Sequence, residues 1–126
     1  LRERTKAERP NLYQELGEST IQALVNDFYN RMLQCPSVSH HFQGIDLQLL
    51  RKHQTEFLCF AFGSPTKYRG NSLRHAHSTL NITSEEYELT IRYLDASLKK
   101  YNVDIDSRIK VQSFLRSLKP FIVTQS

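Results

Sequence analysis

Apolar residues recur along this chain at helical spacing, and no stretch alternates as a strand would. Ile21, Leu24, Val25, Phe28, Met32 and Leu33 form one stripe of an amphipathic helix that starts at Ser19 or Thr20 and ends before Pro36. Ahead of it LYQEL reads as a very short helix, capped by Asn11 and closed by Gly17. Residues 37–44 carry Val38 and Phe42 as apolar anchors, enough for one tight turn. Asp46 caps a central helix whose inward positions are Leu47, Leu50, Gln54, Phe57, Leu58 and Ala61, and Gly63 and Pro65 stop it. A loop through Gly70 then leads to a short helix, capped by Asn71 or Ser72, that carries Leu73 and His77. Thr83 and Glu86 make a T-x-x-E capping box, and it opens a long helix with Tyr87, Ile91, Leu94, Leu98 and Tyr101 on one face. A last helix, capped by Asp104 or Asp106, puts Ile109, Val111, Leu115, Leu118 and Ile122 inward, and Pro120 bends or ends it. The pattern predicts an all-α domain over residues 11–126, with residues 1–10 (LRERTKAERP) as a polar, basic tail or linker.

Composition narrows the class. A chain of 126 residues can bury one real core. The net charge of +4 comes from scattered Lys and Arg, so nothing prompts a nucleic-acid role. No apolar run approaches the roughly 18 residues of a membrane span, and no signal-peptide pattern opens the chain. Cys35 and Cys59 lack metal-site spacing and read as reduced packing residues. These features predict a cytoplasmic monomer.

The chemistry concentrates around the central helix. No nucleophile elbow, phosphate-binding glycine loop or inward carboxylate pair is present, which argues against an enzyme working with side chains alone. Gln54 stands where the stripe calls for an apolar residue, with His53 beside it. A buried amide needs partners. Tyr29, His75 and His77 complete the inventory. Zinc is one use for it, because His40, His41, His53, His75 and His77 could supply three nitrogens, but no zincin spacing or nearby acid accompanies them. Haem is another: a planar apolar cofactor needs a slot, one axial imidazole and polar groups opposite. Phe28, Phe42, Phe57, Leu50 and Leu73 can line such a slot, with His77 on one side and Tyr29 and Gln54 on the other. Plain readings stand beside these: a core-edge Tyr29, a surface His77, a Phe-rich core and a Gln54 whose helix face is misjudged.

The segments LYQELG, DFYNRML, HHFQGIDLQLLRKHQTEFL, FGSPTKYRG and LRHAH, in this order and spacing, resemble a truncated (two-over-two) haemoglobin of the first group. The resemblance runs from Leu12 to about Val123. It implies a two-over-two helical sandwich enclosing haem b, with His77 as the proximal iron ligand. Tyr29 and Gln54 then form the distal hydrogen-bonding pair, and Phe42, Phe57 and Leu73 pack against the haem beside Phe28. Leu50 takes the distal gate, and Tyr68 lies near the propionates. His53, one turn after Leu50, matches a position that in some relatives supplies a second axial ligand, giving six-coordinate iron. The implied small ligands are O2, NO and CO. A firmly held O2 suits NO dioxygenation or related redox chemistry, with an unidentified reductase, better than O2 transport.

Departures from the family pattern are specific. Its paired glycines read here as Gly17-Glu18 and Gly63-Ser64, so each turn keeps one glycine. Some relatives attach haem through a histidine in the last helix, and within these 126 residues none follows His77. Two rival readings remain open at this point. One is a haem-based gas-sensor domain of a larger regulator, suggested by the basic first ten residues and the absence of an initiating Met. The other is a haem-free helical interaction domain.

Overall fold

The computed structural model describes residues 12–64 and 82–123, and every regular element among them is helical. Tyr68, Leu73, His75 and His77, with the short helix expected to carry the last three, lie outside the described residues, as does the Asn11 cap.

Helix α1 spans Leu12–Leu33 and turns on Gly17, whose φ of 80° and ψ of 160° interrupt the helical path. The short helix and the long one expected from sequence thus meet at a kink. That backbone region is essentially reserved for glycine. No heavy atom lies within 4 Å of where a Cβ would sit, so conformation rather than space demands the glycine. Past the kink, Ile21, Leu24, Val25, Tyr29 and Met32 are buried, as the 3.6-residue period requires.

Pro36 does not merely end α1. It opens α2 (Pro36–Ser39), where its fixed φ suits the first helical position. A 3-10 turn, His40–Phe42, follows directly. Val38 anchors this corner in the core, and Phe42 packs against it half-buried.

Helix α3 (Leu47–Ala61) starts at Asp46, whose Oδ1 accepts the Leu49 amide at 3.2 Å. Phe57, Leu58 and Ala61 are buried as expected, while Leu47, Leu50 and Gln54 are half-buried. Thr55 and Cys59 are buried too, so the inward face is wider than the stripe alone predicts. Just beyond the helix, the Phe62 carbonyl accepts the Tyr13 amide at 2.8 Å, which pins the start of α1 to the end of α3.

Helix α4 (Ser84–Lys100) carries the full capping box: Glu86 N–H donates to Thr83 Oγ1 at 3.0 Å, and Thr83 N–H donates to Glu86 Oε1 at 2.9 Å. Helix α5 (Ile105–Ser117) packs on α4, and a break at Leu118 leads into α6 (Lys119–Ile122), with Pro120 in its first turn. Val111 and Ile122 are buried and Leu115 and Leu118 half-buried, but Ile109 is 55% exposed, against its expected inward place. Ile109 and Val111 are two residues apart, roughly 200° around a helix, so one face cannot hold both.

The layers follow from these faces. Helix α1 packs against α3 and against α4, and α4 packs against α5. One apolar core joins Ile21, Leu24 and Val25 with Leu58, Phe62, Leu94, Leu98 and Val111. A smaller cluster, Tyr87, Ile91 and Ile122, closes the α4–α6 end, where the Tyr87 hydroxyl donates to the Leu115 carbonyl at 2.6 Å.

Candidate functional site

The wall between α1 and α3 is where polar groups enter the apolar core. Tyr29 is 3% exposed, and its ring meets Phe28 edge-on at 5.2 Å and Phe42 edge-on at 5.7 Å. Each such aromatic pair contributes about 0.5–1.5 kcal/mol beyond area burial. The three rings join α1 to the corner after α2, so Tyr29 is held from two directions. Burial raises the pKa of its phenol well above the ordinary tyrosine range, and the opposing influence of Arg51 is the smaller of the two. Tyr29 is therefore a neutral hydroxyl, able to donate a hydrogen bond, at any physiological pH.

From α3, Leu50, Gln54 and Phe57 lie on successive turns on the inward side, half-buried, half-buried and buried. His53 is exposed. Thus Tyr29, Phe28, Phe42, Leu50, Gln54 and Phe57 stand on the elements expected to form a distal wall. His53 stands on the right helix with its imidazole on the solvent side. Tyr68, Leu73 and His77, the expected opposite wall, are not among the described residues.

Arg51 escaped the sequence reading. Its guanidinium donates from Nη1 to Asn26 Oδ1 at 3.0 Å and from Nη2 to Asn30 Oδ1 at 3.1 Å. Asn26 and Asn30 are one turn apart on α1, so a single fork grips both. The Arg51 Cζ comes to 6.0 Å from the Tyr29 ring centroid. Arg51 is thus a positioning residue that sets α3 against α1 at Tyr29. The asparagine pair at i, i+4 was the available signal, since Asn in a helix interior is otherwise unfavourable.

Of the histidines weighed as zinc ligands, His40 and His41 come together, and they meet Glu86 of α4. The expectation that no acid stands near them is corrected by that contact, which spans about half the described chain and leaves no local trace in sequence.

A helical sandwich with a buried tyrosine on α1 and a half-buried glutamine on α3 is compatible with one wall of a globin pocket. The residues fit haem on this side: aromatic and aliphatic surface to lie against, and a buried phenol with a half-buried amide to face an axial ligand. Known proteins agree. The chain matches the bacterial-like globin family over residues 11–123. It is 36% identical over 100 residues to the group 1 truncated hemoglobin GlbN of Synechocystis, covering 75% of this chain and 81% of that protein. It superposes on the crystal structure of a truncated hemoglobin from Tetrahymena pyriformis, a mutant in its Fe(III) form, with TM-score 0.84 and 27% identity, covering 90% of this chain and 97% of that one. A 2/2 hemoglobin from Synechococcus, in the cyanomet state and with covalently attached heme, gives TM-score 0.79 and 26% identity, covering 86% and 93% of the two chains. The chain therefore belongs to the bacterial-like globin family, as a truncated haemoglobin with the two-over-two fold. It shares with that family a haem cofactor and the binding of small gases. No described helix is long and apolar enough to cross a membrane.

Proposed function

We propose that this protein binds haem b through His77 and holds O2, NO or CO on the opposite face with Tyr29 and Gln54. The further proposal is that it turns over NO to nitrate, NO + O2 + e⁻ → NO3⁻, with the electron delivered by an unidentified cytoplasmic reductase to a monomeric globin. The observation that carries this reading is Tyr29: a neutral hydroxyl, almost fully buried and edge-on to two phenylalanines. An apolar residue would pack as well, so the hydroxyl earns its place by donating a hydrogen bond.

Haem supplies iron(II/III), with its affinity for diatomic gases and its one-electron chemistry. The protein's share is positioning and exclusion. With haem bound, Tyr29 Oη–H and Gln54 Nε2–H would be the groups to donate hydrogen bonds to a gas that takes on partial negative charge, and such hydrogen bonds contribute more than neutral ones. Phe42, Phe57 and Leu50 keep bulk water from that ligand. By the family resemblance, Leu73 and Phe28 would add apolar contact and Tyr68 would lie near the propionates.

His53 is proposed as a second axial ligand when no gas is bound. Its imidazole is exposed, one turn from Leu50, so ligation requires it to swing inward with a small shift of α3. Reversible ligation of this kind favours a residue without buried anchors.

Absorption spectra of the ferric, ferrous and CO forms test the set together. Wild type is expected to be low-spin in both unliganded oxidation states. His53→Leu is expected to become high-spin in the ferric state and to bind CO faster. His77→Ala is expected to lose most of its haem. A protein that shows no Soret band after reconstitution would end the haem reading, and a wild type already high-spin at neutral pH would remove His53 alone.

A further inference from the structure

The cluster at the start of α4 has no part in the distal wall, and its geometry is that of a metal site. His40 Nε2 lies 3.2 Å from Glu86 Oε2, and His41 Nε2 lies 3.0 Å from Glu86 Oε1. The two imidazoles face each other with centroids 4.0 Å apart and planes 38° from parallel. One nitrogen from each ring and one carboxylate oxygen all fall within 4.8 Å of one another. Zinc bonds of about 2.0–2.1 Å to nitrogen or oxygen place tetrahedral ligands about 3.3 Å apart. Each histidine lies near that edge length from one of the two carboxylate oxygens, and a small side-chain adjustment would bring three ligand atoms around one ion.

Each ligand is held by the backbone that carries it. His40 and His41 are consecutive residues of the 3-10 turn, which Val38 anchors in the core. Glu86 is fixed by the capping box. Burial pushes its pKa up, but the Thr83 amide and the His41 and His40 imidazoles outweigh this and bring it down to about 2. The His40 side chain is 53% exposed, against 12% for His41 and 19% for Glu86, so an ion enters from the His40 side and keeps water there. Three protein ligands and an open position make the His2Glu arrangement found with zinc.

Three features oppose binding. His40 Nε2 also contacts the Ser37 carbonyl at 3.0 Å, and that contact must break. Both rings must carry their proton on Nδ1. In addition, a helix start bears about half a positive charge, which the full charge of Glu86 exceeds.

We propose that His40, His41 and Glu86 bind one divalent cation of the zinc class, clamping the corner after α2 to the first turn of α4. Imidazole with a single carboxylate selects Zn²⁺ or Cu²⁺ over Mg²⁺ or Ca²⁺. Phe42 is the next residue after His41 and packs on Tyr29, so the clamp would brace the distal wall from behind.

Calorimetric titration of the haem-loaded full chain with ZnCl2 alone tests this. One saturable site is expected, with affinity lowered at least tenfold in His41→Gln and in Glu86→Gln. Glutamine at the third helical position can still close the capping box, so Glu86→Gln isolates the lost ligand. X-ray absorption at the zinc edge should show two imidazoles with oxygen in the first shell. His40→Asn, at an exposed position, gives the same answer if either other variant fails to fold. Absence of a saturable site, zinc affinity unmoved by these substitutions, or an absorption edge without paired imidazoles would overturn the proposal.

Discussion

Asp27 and Tyr29 stand two residues apart on α1 and point roughly 200° away from each other. Tyr29 faces α3, where burial and aromatic edges surround it and raise its pKa. Asp27 faces α4, where Ser97 Oγ donates at 2.8 Å and Lys100 Nζ at 3.1 Å, and Arg31 Nε, one turn on along α1, donates at 2.8 Å. Burial raises the Asp27 pKa too, but Arg31, Ser97 and Lys100 outweigh it and bring it to about 2. The same helix therefore holds one oxygen as a neutral donor and another as a charged acceptor. Burial pushes both towards the neutral form; a phenol is neutral at physiological pH already, whereas three donors, two of them cationic, keep the carboxylate charged. On the proposed reading the α1–α4 side serves stability and the α1–α3 side ligand chemistry, and each should be breakable without the other.

The largest effect is expected at Asp27. Asp27→Ala strands Ser97 Oγ, on a residue that is 0% exposed, and leaves Arg31 without its partner. The expected loss is about 2–3 kcal/mol in urea unfolding. O2 and CO rates should stay within about twofold, as for sites without shared partners. Acid gives the same information with a sign. A folded-state pKa of about 2 against an ordinary 3.8 means that Asp27 stabilises the fold fully above pH 3.8. That stability drains as pH falls through the folded value. Glu86 and Glu88, both also lowered to about 2, contribute in the same window, Glu88 through Arg116 and Lys119. Asp27→Ala should therefore lose less stability between pH 5 and pH 2.5 than wild type does; an identical acid slope would show that Asp27 is not held ionised.

On the other face the pattern should invert. Tyr29→Phe keeps the ring and its edge contacts and removes only the hydroxyl, so unfolding should shift by less than about 1 kcal/mol. O2 release should accelerate by roughly an order of magnitude or more, because one hydrogen bond to a charged acceptor is lost. Gln54→Leu should act in the same direction with a smaller factor, since Gln54 is half-buried and water can replace part of its role. If Tyr29→Phe destabilises the fold while leaving the off-rate alone, Tyr29 is a core residue and the assignment of faces fails.

The elements were legible in the chain because their signals are local. The 3.6-residue stripes, the Asp46 cap and the T-x-x-E box each lie within a few residues, and the structure places the helices accordingly. Gln54 stood out for the same reason, as a polar residue in an apolar stripe, whereas Tyr29 read as a core-edge residue whose role rested on the family resemblance. Contacts between distant elements left no such mark. Ser97 reads as surface in a polar stretch, yet it is wholly buried because α1 approaches α4 closely enough to use its hydroxyl. Arg51 on Asn26 and Asn30, and Glu86 on His40 and His41, join residue types that are ordinarily exposed. The misplacing of Ile109 was avoidable, since helical arithmetic forbids it the face of Val111. His77, by contrast, rests on the family resemblance, because a lone histidine on a short helix carries no periodic signal of its own.

The smallest expected effect sharpens the Asp27 side. Its three donors are unequal: Ser97 is wholly buried, Arg31 is an i+4 partner at 37% exposure, and Lys100 is 57% exposed. Exposed ion pairs contribute about 0–1 kcal/mol, because water screens the charge and a long side chain must be ordered. Lys100→Gln should therefore cost less than about 0.5 kcal/mol, near the limit of measurement. Ser97→Ala should cost more, since it removes a buried hydrogen bond and leaves one carboxylate oxygen with a donor fewer. Salt separates the two physically: any small cost of Lys100→Gln should vanish at 1 M NaCl, where the screening length is about 3 Å, while that of Ser97→Ala should persist. If Lys100→Gln proves the costlier and its cost vanishes at 1 M NaCl while that of Ser97→Ala is negligible, exposed charge rather than the buried hydroxyl fastens α1 to α4.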